Sequence, residues 1–185
     1  IYDNAQLIEK TGIRFVFETS GPTVNLAKEA CQQLTYDLQA IKLLMLVTQS
    51  PDDFLPANSI SLADTLDVSN DCLMFDFNQG CSGFVQALCV IDKIIGHYKN
   101  VLLVTADRYR SKLKKDDRST RAVFSDCATA NVITDRGNST ILFEDHFSDG
   151  SKKSLLCQAA EGKDKFLYMS GAQVWMFTKI HVVQQ

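Results

Sequence analysis

The stretch Asp76–Leu88 reads DFNQGCSGFVQAL and marks the point where the pattern of the chain changes from strand to helix. The apolar run CLMFDFN leads into it, which is typical of a buried strand. Apolar residues then follow from Ser82 to Tyr98 and surround that segment almost completely. A helix of this kind is expected to be buried on all sides. The stretch therefore predicts a strand, a tight turn and a buried helix, with Cys81 at the turn.

The same alternation continues on both sides of this stretch. The runs AIKLLMLVTQ before it and VLLVTAD after it predict two more strands that are buried on both faces. Apolar spacing predicts helices over 22–34, with Thr23 as a candidate cap, over 57–66 and from Gly171 onward. AVFSDCATANVITD and STILFEDHFSD predict two strands joined by a turn at 136–138. Strands that alternate with helices indicate an α/β protein with helices on both faces of a mostly parallel, mixed sheet.

Composition excludes several classes of protein. The chain has 185 residues, 45% of them hydrophobic, which suffices for one substantial core. A net charge of -3 argues against nucleic-acid binding. No apolar run reaches the ~18 residues that span a bilayer, so no membrane association is expected. The start, IYDNAQLIEK, lacks the apolar region of a signal peptide. Six cysteines without a C-x-x-C pair predict reduced thiols, no metal site and a cytoplasmic location.

Two interpretations of Cys81 stay open from the residues alone. A helix N-terminus offers unpaired N–H groups and a partial positive charge, which stabilise a thiolate. Gly80 permits a tight turn, and Gly83 permits the close approach of another backbone or a ligand. A thiolate there is a nucleophile and an acyl carrier, and its backbone N–H is a candidate oxyanion donor. A free cysteine is, however, often an inert small apolar residue.

Five segments of the chain carry a resemblance to a known family. They are TGIR (11–14), TQSPDDFLPA (48–57), DFNQGCSGFVQAL (76–88), DRSTRAVFSDCATA (117–130) and FLYMSGAQVWMF (166–177). In this order they resemble the N-terminal half of a β-ketoacyl-acyl-carrier-protein synthase III, in the thiolase superfamily. The resemblance implies a five-layered αβαβα fold, of which residues 1–185 form an incomplete N-terminal domain. It also implies a homodimer.

The resemblance implies an acyltransferase of fatty acid or related biosynthesis. Cys81 would accept an acyl group from acyl-CoA, and that group would condense with malonyl-carrier protein without a cofactor. The family places a catalytic histidine and asparagine in its C-terminal half, and His97, His146 and His181 fall outside that motif. Two alternatives therefore stay open. One is a non-catalytic half-domain that binds acyl-CoA or carrier protein, and the other is acyl transfer to a non-malonyl acceptor.

Other residues receive expected roles from the same resemblance. It implies that CoA is bound by Arg118, Lys10, Phe124, Gly171 and Trp175. It implies that Leu55 caps the acyl pocket of a partner subunit. Because leucine is smaller than the phenylalanine often found there, Leu55 predicts room for a chain longer than acetyl.

Several of these assignments have a plainer alternative. Arg118 is equally well interpreted as a solvated loop charge, and Leu55 as an ordinary anchor of its loop. The basic loop 108–121 is either a docking surface for an acidic acyl-carrier protein or a solvated face. The chain also departs from the family, with Gln6 where some members have tryptophan and with Ser125 and Cys127 where glycine is preferred.

Overall fold

The computed structural model describes residues 4–137, 139, 141–159 and 165–182. The chain divides into a sheet unit, formed by 19–108 and 126–142, and a helical unit, formed by 1–18, 109–125 and 143–185. The helices in the described residues are α1 (Asn4–Thr11), α2 (Thr23–Cys31), α3 (Asn58–Leu66), α4 (Gly83–Tyr98), α5 (Arg118–Arg121) and α6 (Gly171–His181). The strands are β1 (Leu43–Val47), β2 (Leu73–Phe77), β3 (Asn100–Asp107), β4 (Cys127–Thr134), β5 (Leu156–Cys157) and β6 (Tyr168–Met169).

The described part of the sheet unit contains a mixed sheet with the strand order β2–β1–β3–β4. Strand β1 pairs in parallel with both neighbours, so that Leu43 lies opposite Leu73 on one side and Val101 on the other. Strand β4 runs antiparallel to β3. The mostly parallel α/β sheet predicted from the apolar runs is therefore confirmed.

Strand β1 is the centre of the core and is buried along its whole length. Successive side chains of a strand point to opposite faces, so the sheet divides the apolar residues into two layers. Leu44 and Leu46 pack in the layer that contains residues of α2 and α3. Met45 and Val47 pack in the layer that contains Ala87 of α4. Helices therefore cover both faces, and each fully buried aliphatic side chain contributes about 1.5–3 kcal/mol.

Helix α4 is less buried than its sequence predicts. Its buried residues, Gly83, Ala87 and Ile91, follow one another at intervals of four and form a single stripe against the sheet. Phe84 and Val85 are exposed, Val85 by 61%. The prediction of a helix buried on all sides is wrong for the described chain, because the sheet covers one face only.

The predicted pair of strands at 122–149 is half correct. The first segment forms β4, which ends at Thr134 and is followed by a turn at Asp135 and Arg136. The described residues 141–149 contain no strand. Leu142 and Phe143 are 92% and 76% exposed, so their apolar character does not mark a core strand. Asn138, placed in the predicted turn, lies outside the described residues.

The helical unit combines short elements. Besides α1, α5 and α6 it contains 3-10 turns at Tyr109–Lys112 and Gly150–Leu155 and the antiparallel pair β5–β6. The predicted helix from Gly171 is confirmed as α6. No helix among the described residues has the length and apolar character needed to cross a bilayer.

Gly83 is required by a close approach between α4 and β1. A Cβ atom at position 83 would lie 2.5 Å from Cγ1 of Val47. We expect Gly83→Ala to lower the free energy of unfolding by about 1–3 kcal/mol, measured by urea denaturation, because the added methyl group overpacks this contact. In the double variant Gly83→Ala/Val47→Ala, the loss of free energy of unfolding should be smaller than the sum of the losses in the two single variants.

The matched control is Gly96→Ala in the same helix, where an added Cβ atom meets no heavy atom within 4 Å. That change should be neutral or stabilise the protein by roughly 0.5–1 kcal/mol, because alanine is the better helix former. Equal losses at both glycines would contradict the proposed contact with Val47.

Candidate functional site

The candidate site lies at the carboxyl edge of the parallel strands. Strand β1 leads into α3 and β2 leads into α4, and these helices pack in the layers on opposite faces of the sheet. Ligands of open α/β sheets bind at the carboxyl ends of the strands, where successive helices depart to opposite faces. Gln49 follows β1 and Cys81 follows β2, so the topology places both residues at this crevice.

Cys81 lies in a single 3-10 turn, Gly80–Ser82, which leads directly into α4. Its side chain is exposed. The hydroxyl of Ser82 donates to the Gln79 carbonyl at 3.0 Å and accepts from Nε2 of Gln86 at 2.8 Å, which ties the turn to the first turn of the helix. The cysteine is thus reachable from solvent at a helix start, as expected from the sequence.

Gly80 has a backbone conformation that other residues rarely adopt, with φ of 60°. A Cβ atom at this position would also lie 3.0 Å from Nε2 of Gln49. The side-chain amide of Gln49 therefore rests on the turn that presents Cys81, and it donates to Oδ1 of Asn78 at 3.4 Å. The tight turn predicted for Gly80 is confirmed, and the close approach predicted at Gly83 is made by the side chain of Val47.

Cys31 and Cys72 are buried, whereas Cys81 is exposed. Burial raises the pKa of Cys31 to about 12. Burial also raises the pKa of Cys72. Both groups are therefore protonated at neutral pH and fit the interpretation of cysteine as a small apolar residue. Cys81, Cys127 and Cys157 are the exposed cysteines, and of these only Cys81 lies at a helix start.

A carboxylate at the end of β3 holds the loop that follows β1. Oδ1 of Asp107 accepts hydrogen bonds from N–H of Gln49 at 2.8 Å and N–H of Ser50 at 3.0 Å. The same atom accepts from the hydroxyls of Ser50, at 3.0 Å, and Thr48, at 3.3 Å. Desolvation raises the pKa of Asp107, and these hydrogen bonds oppose that rise. Sequence reasoning missed this role, although an acid at the end of an apolar strand was a visible signal.

Two further carboxylates cap helices from a distance. Asp76 of β2 accepts from N–H of Asn58 and of Ser59, both at 2.7 Å, and so closes the start of α3. Asp52 accepts from N–H of Thr23 at 2.7 Å and of Val24 at 2.9 Å, at the start of α2. Thr23 itself is the first helical residue and donates its hydroxyl to the Ser50 carbonyl, so its expected capping role is wrong.

Leu55 lies near the tip of the loop between β1 and α3. Its side chain is 89% exposed and that of its neighbour Phe54 is 79% exposed. The alternative interpretation of Leu55 as an anchor of its loop in the core is therefore wrong for the described chain. An exposed apolar pair is consistent with a cap on another subunit, which stays a prediction.

The five residues expected to bind CoA all lie in the helical unit, whereas Cys81 and Leu55 lie in the sheet unit. Arg118 is exposed and begins α5, whose first N–H groups are capped by Asp117. Phe124 packs against Tyr109, with ring centroids 4.9 Å apart.

Lys10 is exposed on α1, and Gly171 begins α6. Trp175 is 59% exposed, and Nζ of Lys179 lies 5.1 Å from its ring centroid. The exposed indole is compatible with stacking on a ligand, but its role with CoA stays a prediction.

The basic loop 108–121 is not a uniform charged surface. Arg110 and Arg121 form ion pairs with Glu18, and the Arg110 side chain is only 9% exposed. The guanidinium of Arg108 donates to the Thr19 carbonyl. These three arginines are used structurally, and the exposed cations are Lys114, Lys115 and Arg118.

Ser125 and Cys127 occupy positions where the resembling family prefers glycine, and the chain accommodates both. The Ser125 hydroxyl accepts from N–H of Phe17 at 2.7 Å and lies 3.3 Å from the Phe17 carbonyl, to which it donates. Cys127 begins β4 and is exposed. The serine hydroxyl thus holds the backbone of Phe17, a residue distant in the sequence.

The histidines occupy the surface positions expected for them or pack against aromatic rings. His97 and His146 are exposed. His181 stacks on Phe147, with ring centroids 4.4 Å apart. Within the sheet unit, His97 ends α4, at the opposite end of that helix from Cys81, and His146 and His181 belong to the helical unit.

Comparison with known proteins adds a fold class and a similarity to one family. Residues 75–150 match the family model of 3-oxoacyl-(acyl-carrier-protein) synthase III, where 3-oxoacyl is another term for β-ketoacyl. A solved structure of such a synthase is 29% identical, with a TM-score of 0.88, and the match covers 96% of this chain and 62% of that one. The synthase III of Pseudomonas aeruginosa is 26% identical, with a TM-score of 0.81, 96% of this chain covered and 58% of the other. That of Aquifex aeolicus is 27% identical, with a TM-score of 0.81, 95% of this chain covered and 58% of the other.

The fold and these matches define a thiolase-like α/β protein. Within that class, the similarity to the 3-oxoacyl-(acyl-carrier-protein) synthase III family predicted from the sequence is confirmed. The chain spans only about three-fifths of the length of the synthases that it matches.

Proposed function

We propose that the protein is an acyltransferase of the 3-oxoacyl-(acyl-carrier-protein) synthase III type and that Cys81 is its nucleophile. The observation that carries the proposal is the exposed Cys81 thiol in the turn between β2 and α4, at the crevice of the sheet. The family match includes this turn, because it extends over residues 75–150. The chain represents the N-terminal half of such an enzyme in this proposal.

The first step is transfer of an acyl group from CoA to the protein. The Cys81 thiolate attacks the thioester carbonyl of acyl-CoA, and N–H groups at the start of α4 stabilise the oxyanion that forms. The bond between the carbonyl carbon and the CoA sulfur then breaks, CoA thiolate leaves and takes up a proton, and an acyl thioester remains on Cys81. No cofactor takes part in this step.

The second step is condensation with malonyl-carrier protein. Loss of carbon dioxide from the malonyl group leaves a carbanion that attacks the acyl thioester, which releases a 3-oxoacyl-carrier protein and restores the Cys81 thiol. By resemblance, the histidine and asparagine that this step requires belong to the C-terminal half of the family, and each such donor contributes about 10²–10³ in rate. We assign them to the rest of the protein.

The proposal includes three kinds of partner. CoA is bound through Lys10, Arg118, Phe124, Gly171 and Trp175. The acidic carrier protein docks on the exposed cations Lys114, Lys115 and Arg118. A second copy of the chain pairs through β2, which is an edge strand with no outer partner among the described residues. The protein acts in the cytoplasm, in fatty acid or related biosynthesis.

The test of the function is intact-protein mass spectrometry with acyl-CoAs of graded chain length. We expect a mass increment of one acyl group, mapped by peptide analysis to Cys81, and its loss when malonyl-carrier protein is added. Binding of acyl-CoA without a covalent increment would support the non-catalytic alternative. An increment that does not fall with malonyl-carrier protein would support a different acceptor.

Leu55 provides a test of chain-length preference. We expect Leu55→Phe to shift the preference of acylation toward shorter acyl-CoAs by about three- to tenfold, or roughly 0.7–1.4 kcal/mol, because a larger cap shortens the acyl pocket and longer chains lose fit. The measurement compares acylation rates for short and long acyl-CoAs in both proteins. Phe54→Leu, the neighbouring exposed position, is the control and should change the preference little. An unchanged preference in Leu55→Phe would remove the capping role.

A further inference from the structure

Gln49 connects two features of the sheet edge that the proposed mechanism leaves apart. Its side-chain amide lies within 3.0–3.2 Å of the position that a Cβ atom on Gly80 would take, and it donates to Asn78 in the turn that presents Cys81. Its backbone N–H donates to Oδ1 of Asp107 at 2.8 Å. The residue thus spans from the end of β3 to the turn after β2.

The Asp107 end of this connection is firmly held. Four hydrogen bonds converge on Oδ1 of Asp107, from the backbone and side chains of residues 48–50. The Ser50 hydroxyl, which donates to Asp107, also accepts from N–H of Arg108 at 2.7 Å. The backbone of Gln49 therefore has one position relative to β3.

The Cys81 end needs such support. Gly80 adopts a positive φ, and because glycine has no Cβ atom its backbone is freer to move than that of any other residue type. In the described residues the Gln49 amide, from the neighbouring strand end, is the side-chain group nearest to the position of a Cβ atom on Gly80. Removing the amide would let the turn move, and a displacement of about 1 Å at a reacting group costs on the order of 10²-fold in rate.

We propose that Gln49 is a positioning residue for Cys81 and that Asp107 acts through it by fixing the Gln49 backbone. This inference rests on the proposed function of Cys81 as the acylated nucleophile. Gln49 sets where the thiol meets the thioester carbonyl, and it contributes to the rate of acylation rather than to the affinity for acyl-CoA.

The experiment measures acylation of Cys81 in the full-length protein at several acyl-CoA concentrations. In Gln49→Ala we expect the maximal acylation rate to fall about 10- to 100-fold while the half-saturating acyl-CoA concentration stays within about twofold. Gln33→Ala, at an exposed glutamine just after α2, is the matched control and should acylate at the normal rate.

Substitutions at Asp107 test the second half of the connection. All four hydrogen bonds end on Oδ1, which asparagine retains, so Asp107→Asn should acylate within about threefold of the unchanged protein. Asp107→Ala should lose acylation to about the extent of Gln49→Ala. If Gln49 only stabilised the fold, Gln49→Ala should slow the iodoacetamide labelling of Cys81 no more than it slows the labelling of the exposed Cys127 and Cys157.

The outcomes separate this inference from the proposed function. If the unchanged protein forms an acyl enzyme and Gln49→Ala forms it equally fast, the positioning role is wrong and the function stands. If the unchanged protein forms no acyl enzyme, the function fails, and the iodoacetamide rate of Cys81 relative to Cys127 decides the positioning. If Gln49→Ala leaves the ratio of the Cys81 and Cys127 labelling rates unchanged, the positioning role is wrong.

Discussion

Replacing Cys81 by alanine is expected to abolish the acyl enzyme. Alanine keeps the turn, since the 3-10 turn and the start of α4 depend on Gly80, Ser82 and Gln86 rather than on the thiol. Without a nucleophile, the rate of acyl transfer from acyl-CoA should fall by at least about 10³-fold. The measurement is the mass increment after incubation with the acyl-CoA that the unchanged protein prefers.

Cys127→Ala is the matched control, because Cys127 is also exposed but lies at the start of β4, away from any helix start. It should acylate at the normal rate. Acylation that survives in Cys81→Ala and disappears in Cys127→Ala would show that Cys127, and not Cys81, is the nucleophile.

Replacing Asp76 by alanine should give the largest loss of stability. The Asp76 carboxylate accepts two hydrogen bonds from the first backbone N–H groups of α3, both at 2.7 Å, and a third from Nδ2 of Asn58 at 3.2 Å. Asn58 and Ser59, which supply them, are 2% and 0% exposed, so water does not replace the carboxylate. Each charge-assisted hydrogen bond contributes about 1.5–3 kcal/mol, and we expect the free energy of unfolding to fall by about 3 kcal/mol.

Urea denaturation and thermal melting check this expectation, with a decrease in melting temperature of roughly 6–12 °C. Asp71→Ala is the control, because Asp71 forms an exposed ion pair with Lys42 and should leave the melting temperature almost unchanged. Similar losses for the two aspartates would mean that the contacts of Asp76 with α3 contribute little.

The central strands were predictable because their signal is local. The runs LLMLV and VLLV are apolar at every position, and an unbroken apolar run of this length is typical of a strand covered on both faces. The turn at Cys81 was predictable for a similar reason, since Gly80 and Gly83 each satisfy a requirement that no other residue meets as well.

The exposed side of α4 was not predictable from the same kind of pattern. Its apolar residues continue around the helix, but burial depends on what packs against them, and only Gly83, Ala87 and Ile91 are fully buried in the described structure. The strand predicted for the segment STILFEDHFSD was wrong for a related reason, which is that its pattern does not show whether a partner strand is present. Alternating apolar residues favour a strand, yet a strand forms only where a neighbouring edge accepts its hydrogen bonds.

The polar connections of the candidate site required the tertiary structure. Asp52, Asp76 and Asp107 each bind backbone N–H groups that lie between 17 and 58 residues away in the sequence. No spacing rule connects a strand-end carboxylate with a distant loop or helix start. The sequence therefore indicated Cys81 and left the residues that hold its surroundings unassigned.

The contact between Gly83 and Val47 also limits the order in which this protein can change during evolution. A lineage that acquires a larger residue at position 83 first passes through a crowded and less stable intermediate. A lineage that first acquires a smaller side chain at position 47 has an intermediate with a small cavity, which a later methyl group at position 83 can fill. Substitutions at these two sites should therefore arise as a pair, with the reduction on the strand preceding the enlargement on the helix.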